Sequence, residues 1–354
     1  MLLFIPSLLL KFVSGIKFIR KLLNDFGCAF NVILDLLMSS PVELGRLEFG
    51  ALPLISLHHA NDDLIVSASY SRDAINRSGS VFLFDAEMNK VLEEPLSSAS
   101  FHCDYAADKD VAVMKLADGK IALFNVNQRT LSYEKVDNEG IMITDVSYQP
   151  TNSAIGVFSD AKGRITVFDK NSGVKTQQRI VHEIYGSEVP AWCCKFLDEN
   201  TYATGGDDCF LKLFDIRSNE MSMVSKVHDG GVVRIREAGQ QSKILTGAYD
   251  NHLRLLDIRN LKTAENNAKL DGDPWDFKVC ENGMILVAAM YSGWYFLNKD
   301  LSVNTHHDLP DSLVYGVECI PSSKGVKVIC SSFTNGSVFV FECNHISDER
   351  SIPS

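Results

Sequence analysis

The densest set of reactive side chains lies in Thr305–Gly316, THHDLPDSLVYG, which holds two histidines, two aspartates and a serine ahead of a strand-like run. Ester hydrolysis needs an activated nucleophile or water, a base, and donors for the oxyanion. His307, Asp311 and Ser312 are the residue types that could serve, and they are the candidate catalytic residues. The same letters also spell a loop. Pro310-Asp311-Ser312 makes a good turn, and Asp and Ser before a strand commonly fix one, so both readings stand. A second pair, His228 and Asp250, and its counterpart His182 with Asp207 or Asp208, read as buried structural hydrogen bonding, because buried polar groups usually satisfy one another. The chain contains no G-x-S-x-G elbow, no phosphate-cradling glycine loop and no H-E-x-x-H.

The elements that must position these residues repeat. Gly205–Asp215, GGDDCFLKLFD, is a tight turn, an alternating strand and a terminal acid, and Gly247–Asp257, GAYDNHLRLLD, repeats it. Looser copies end at Asp85, Asn125, Asp169, Asn298 and Glu342, giving seven endings spaced 40 to 46 residues apart. That period with a turn-and-strand signature is how WD repeats read. The expected fold is all-β, a seven-bladed WD-repeat β-propeller of four-stranded blades packed in a ring. In that scheme Thr246 joins His228, while Leu256 and Phe214 stand where a strand-end Trp is usual.

Aligning the innermost strands puts Thr144, Trp192, Val233, Trp275 and Tyr315 at one equivalent position, with Asp145, Cys193, Arg234, Asp276 and Gly316 beside them. Wedge packing between blades is one explanation, since aromatic rings carry much of the burial in such cores. The other is an aromatic and acidic mouth on the central channel, suited to a quaternary ammonium group through cation–π attraction. Trp192, Trp275, Tyr315 and Asp276 are therefore the candidate substrate-binding residues.

Residues 1–40 fall outside the repeat. They form an apolar extension in which a polar stripe (Ser7, Lys11, Ser14, Lys17, Lys21, Asn24) marks an amphipathic helix over 1–38. Packing on the propeller, a misplaced translation start and contact with a membrane surface all fit it. The propeller is expected over 41–345, with Val42–Gly50 as the outer strand of the last blade, followed by a polar tail at 346–354. A net charge of −11 and a pI near 5.3 argue against a nucleic-acid partner. Nine cysteines without framework spacing read as reduced thiols, and no CxxC pair or clustered His suggests a metal.

GGDDCFLKLFDIR, HDGGVVRI, GAYDNHLRLLDIRN, DPWDFKV, LVAAMYSGWYFLN and HDLPDSLVYG follow one another as they do in the diphthamide biosynthesis protein 7 family, which the chain resembles from about His182 to Gly316. LPDSLVYG and the Ala288–Gly293 pattern are the most specific parts. That family is the WD-repeat diphthine methyl ester hydrolase, also called diphthine methyltransferase. The resemblance implies removal of a methyl ester from an over-methylated intermediate on a histidine of translation elongation factor 2, with water and no organic cofactor. The substrate side chain would carry a trimethylammonium group. A cytoplasmic monomer is the expectation. The rival from another class is a non-catalytic adaptor that binds a protein partner on the propeller's top face.

Overall fold

The computed structural model describes residues 41–344 apart from 49–53, 61–63, 73–75, 107–109 and single positions at 135, 137, 219, 324 and 335. The helical extension and the polar tail read from the sequence lie outside the described residues. Within them the chain is all-β, with seven four-stranded antiparallel sheets arranged as blades and two short hairpins. The inner strands, in blade order, are Leu54–His59, Ser100–Ala106, Ile143–Tyr148, Ala191–Phe196, Val232–Glu237, Pro274–Val279 and Val314–Ser322.

Each blade follows from its letters. The middle strands are continuous apolar runs, such as Ile285–Ala289 (ILVAA) and Gly293–Leu297 (GWYFL), and they are buried throughout. A strand covered on both faces must read that way. Outer strands are the exposed ones: Lys90–Pro95 is open along nearly its whole length, and Val174–Ile180 (VKTQQRI) shows one residue in two to solvent. Turns carry the residues their backbone requires. Gly119 in the Asp-Gly hairpin sits at φ 85°, a region open to glycine without steric cost. Between blades, side chains interlock. Trp294 and Phe296 of blade six pack with Val314, Val328, Phe339 and Phe341 of blade seven. Each fully buried aromatic of this kind contributes roughly 1.5–3 kcal/mol of burial.

The ring closes by pairing the two ends of the described chain. Val42–Glu48 lies antiparallel to Ser337–Asn344, with Val42 opposite Glu342 and Glu48 opposite Ser337, and forms the outer strand of blade seven. Closure leaves few exposed edges to template aggregation. The expected buried networks are present. His182 Nδ1 contacts Asp208 Oδ1 at 2.7 Å and its Nε2 contacts Thr204 Oγ1 at 2.9 Å, so Asp208 rather than Asp207 is the partner. His228 Nε2 reaches Thr246 Oγ1 at 2.9 Å, whereas Asp250 is engaged by Arg254 and by the Asp229 amide. In blade three Asn138 replaces the histidine and binds Asp160 at 3.2 Å.

Candidate functional site

Every inner strand slips register once, near its start. The irregularities fall between Ser100 and His102, Ile143 and Asp145, Ala191 and Cys193, Val232 and Arg234, Pro274 and Asp276, and Val314 and Gly316, with a seventh between Leu54 and Ser56. A bulge re-aims the extra side chain. The residues at these bulges include Phe101, Thr144, Trp192, Val233, Trp275 and Tyr315, so the equivalence read from the sequence is realised and Phe101 joins it.

The bulge residues and their neighbours form a chain of rings over the channel. Phe101 stacks on Trp192 at 5.7 Å and meets Trp275 edge-on at 6.0 Å. Tyr249 contacts Trp192 at 6.4 Å and Trp275 at 6.0 Å. Trp275 stacks on Tyr315 at 4.6 Å, Tyr315 lies 5.0 Å from Phe333, and Phe333 lies 6.1 Å from Tyr70. Thr144 does not contribute to the ring chain: its hydroxyl is buried against Ser159 (2.8 Å) and the Ala191 carbonyl (2.5 Å). Between the rings lies a cleft of about 170 Å³ lined by Tyr70, Phe101, Met142, Trp275, Tyr315 and Phe333. It is smaller than the roughly 300–1,000 Å³ typical of drug-sized ligands and suits a single compact group.

Acids rim this mouth. Asp207 Oδ1 accepts the Trp192 indole N–H at 2.5 Å. Burial pushes the Tyr249 hydroxyl far above its ordinary value, and the negative charges of Asp207 and Asp273 add to the shift. Burial also raises the Asp273 carboxyl, with Asp250 contributing. Asp276, placed in the mouth by the sequence reading, lies one step deeper. It is fully buried, 3.1 Å from Arg236 and 3.5 Å from Arg234, and takes the Phe277 amide at 3.0 Å.

Below the rings the channel wall is charged. Lys115 lies on Asp104 and 3.5 Å from Asp145. Arg236 reaches Asp104 at 2.7 Å, and Lys278 pairs with Glu318 at 2.7 Å. Burial raises the Asp104 and Asp276 carboxyls, but the neighbouring cations outweigh it and hold both well below the usual carboxylate range. Burial likewise pushes the His58 imidazole down, reinforced by Lys278. His102, Asp104 and Asp145 bring ligand-type atoms within 4.8 Å of one another. The Lys115 ammonium already contacts both carboxylates, so the position a metal ion would take is filled by a cation of the chain itself. A signal for this layer was present in the inner strands, where charges recur every second residue: HCD, RIR and DFK at 102–104, 234–236 and 276–278.

The Thr305–Gly316 stretch reaches the mouth at its C-terminal part, through Leu313 and Tyr315. Leu313 packs against the aromatic cluster, its amide donates to Thr334 Oγ1 at 3.1 Å, and its carbonyl accepts the Phe333 amide at 2.8 Å. Asp311 sits at φ 64° with Pro310 before it, and the Ser312 amide donates to the Leu309 carbonyl at 3.2 Å. That is a type II turn, with Pro and Asp in positions they tolerate. Asp311 is exposed, and Ser312 is buried beneath the turn. His307 ends the outer strand of blade six, and its ring lies 4.5 Å from Phe341 and 6.1 Å from Trp294. Burial lowers its imidazole below the ordinary value, leaving a neutral base at pH 7. Among the described residues no hydrogen bond links His307, Asp311 and Ser312: Asp311 and Ser312 share the turn, while the His307 ring packs on Phe341 and Trp294 between blades six and seven. Gly316 closes the stretch where a Cβ would meet Ser331 Oγ at 2.7 Å and the Ser56 backbone at 2.8 Å, a close approach between blades seven and one.

Seven blades with bulged inner strands and His–Thr networks define a WD-type β-propeller. The WD40 β-propeller domain of Doa1 matches with a TM-score of 0.66 over 88% of this chain and 99% of that one, at 16% identity, a likeness of fold alone. No family model matches the chain. The chain is a homologue of curated proteins named diphthine methyltransferase. It is 33% identical to the one from Mus musculus over 177 residues (46% of this chain, 37% of the relative) and 32% identical to the one from Homo sapiens (46% and 39%). It is 26% identical to the one from Schizosaccharomyces pombe over 232 residues (60% and 68%). The chain thus spans about two fifths of the length of the mouse and human relatives it matches.

Proposed function

We propose that this protein hydrolyses the methyl ester of methylated diphthine on translation elongation factor 2, giving diphthine in diphthamide biosynthesis. The observation that carries the reading is the mouth: a compact cleft among aromatic rings, rimmed by Asp207 and Asp273, next to the Ser312 turn. A trimethylammonium group cannot donate a hydrogen bond, so ring faces and nearby negative charge are what recognise it. In diphthine that group and the carboxyl share one carbon, so a cation seated in the cleft against Trp275 and Tyr315, with Trp192 stacked behind Phe101, leaves the ester beside the adjoining loop. His307 or Asp311 then activates water or the Ser312 hydroxyl; water ends on the acyl carbon and methanol leaves. The names of the relatives support a methyl-modifying step on diphthine. Asp276 acts through the wall beneath the rings.

The reading needs no organic cofactor and takes elongation factor 2 as its partner. Among the described residues no helix is long and apolar enough to cross a membrane, and the proposed compartment is that of the factor, the cytoplasm. The test is mass spectrometry of elongation factor 2 carrying methylated diphthine after incubation with the full chain. Loss of ~14 Da with release of methanol is expected for ester hydrolysis. An unchanged mass with the factor bound would leave a non-catalytic adaptor instead.

A further inference from the structure

The far end of the channel holds a pair of thiols that the mouth does not use. Cys280 follows the inner strand of blade six, and Cys319 lies on the inner strand of blade seven, four residues beyond Tyr315. Their sulfurs are 3.4 Å apart although the residues are 39 positions apart in sequence. Both are half-buried and line a cavity of about 420 Å³ with His59, Lys278, Glu318 and Phe296. We propose that Cys280 and Cys319 are an oxidation site, at which hydrogen peroxide converts the two thiols into a disulfide joining blades six and seven.

Geometry comes first. A disulfide requires about 2.05 Å between sulfurs, so the pair must close by roughly 1.4 Å, within reach of side-chain rotation at a cavity wall. Access comes second: the cavity admits a small oxidant to both sulfurs. Reactivity comes third. The hydrogen bond from Cys319 lowers the Cys280 thiol below its ordinary value, and the same contact with burial raises Cys319. That asymmetry assigns the attacking and resolving roles, since the thiolate is the nucleophile. Cys280 attacks the peroxide O–O bond, forming a sulfenic acid and releasing water. The Cys319 sulfur then displaces the sulfenic oxygen, forming S–S and a second water. Two thiols lose two electrons and two protons, and one peroxide is reduced to two waters. The other described cysteines offer no such pair. Cys103, Cys193, Cys194 and Cys330 are sealed in the core, and burial raises their thiols.

The test treats the reduced full-length protein with hydrogen peroxide, blocks remaining thiols, and maps peptides by mass spectrometry. Expected is a loss of about 2 Da per chain, a cross-linked peptide pair containing Cys280 and Cys319, and reversal by dithiothreitol. Cys280→Ser and Cys319→Ser should each abolish the cross-link. Mapping of the wild-type chain decides the matter even if a variant folds poorly. Recovery of both cysteines as blocked thiols after treatment would overturn the proposal. So would oxygen addition at Cys280 with Cys319 left free, or a cross-link that survives both substitutions.

Discussion

The aromatic mouth and the charged channel wall are one residue apart on the same strands, and their chemistry is opposite. In the wall, Asp104, Asp145, Asp276 and Glu318 face Lys115, Arg234, Arg236 and Lys278, so anions and cations answer one another inside the chain. In the mouth, ring faces border open space and the nearest acids have no cation partner among the ring residues. A charge layer whose ions pair with one another serves the fold, although Arg234 Nε and Nη1 and Asp276 Oδ2 make no hydrogen bond among the described residues. A ring layer with spare faces can serve a ligand. Loss of a wall residue should therefore cost stability, and loss of a mouth residue should cost binding.

The largest effect should come from breaking the wall. Asp276→Ala leaves the buried Arg234 with only a 3.9 Å contact to Asp145 and takes one of two carboxylates from Arg236, and leaving a buried charge poorly paired costs about 3–5 kcal/mol. Urea denaturation should show that loss, whereas Trp192→Ala should cost much less because Trp192 is half-buried. Titration gives the next largest effect. The folded Asp104 and Asp276 carboxyls lie below their unfolded value, so their contribution is complete above about pH 4 and is lost as pH falls through the folded values. His228 behaves otherwise. Burial first, then Arg254, lowers it to about 4. Between about pH 6.5 and pH 4 the unfolded chain takes up the proton and the folded chain does not, so stability falls across that window by on the order of 3 kcal/mol. Thermal unfolding of His228→Gln should show a shallower slope across that window, the remainder coming from His58, His182 and His307, whose folded values are also lowered by burial, and should keep the loss below pH 4.

Smaller effects belong to the mouth and its loop. His307→Ala should lower turnover of methylated factor about 100-fold, the usual worth of a general base, while urea stability changes by less than Asp276→Ala changes it. If Asp311→Asn and Ser312→Ala join it in keeping normal turnover, the roles given to this turn are wrong. Smallest in energy is ring recognition. Choline should bind wild type about 10-fold more tightly than its neutral isostere 3,3-dimethyl-1-butanol, a difference of the size expected for a cation–π contact. Calorimetry on Tyr315→Ala, which removes a ring lining the cleft, should erase the preference.

Much of this contrast was legible before any coordinates. The recurring strand endings from Asp85 to Glu342 mark seven blades because each blade must turn, alternate and stop at the same places. The closing role of Val42 onward also followed, since VELGRLEFG alternates like a strand ahead of the first repeat, and it pairs with Ser337–Asn344. Register alignment found Trp192, Trp275 and Tyr315 because the bulge recurs at one strand position. It missed Phe101, for no inner strand had been assigned to blade two. The charge layer left only the alternating charges of HCD, RIR and DFK in the sequence, and its pairings were not legible there: Asp104 and Arg236 are 132 positions apart and meet only when the ring closes. Asp276 was read as part of the mouth because a one-residue step along a bulged strand separates two layers of the channel. Asp208 rather than Asp207 pairs with His182 because Asp207 turns toward Trp192.

The most direct test of the mouth is the affinity of the chain for elongation factor 2 bearing methylated diphthine against the same factor with its histidine unmodified. A ring cleft that reads a trimethylammonium group predicts at least ~10-fold tighter binding of the modified factor, and loss of that difference in Tyr315→Ala with the fold intact. Equal affinity for both forms, or a preference that survives Tyr315→Ala, would contradict it.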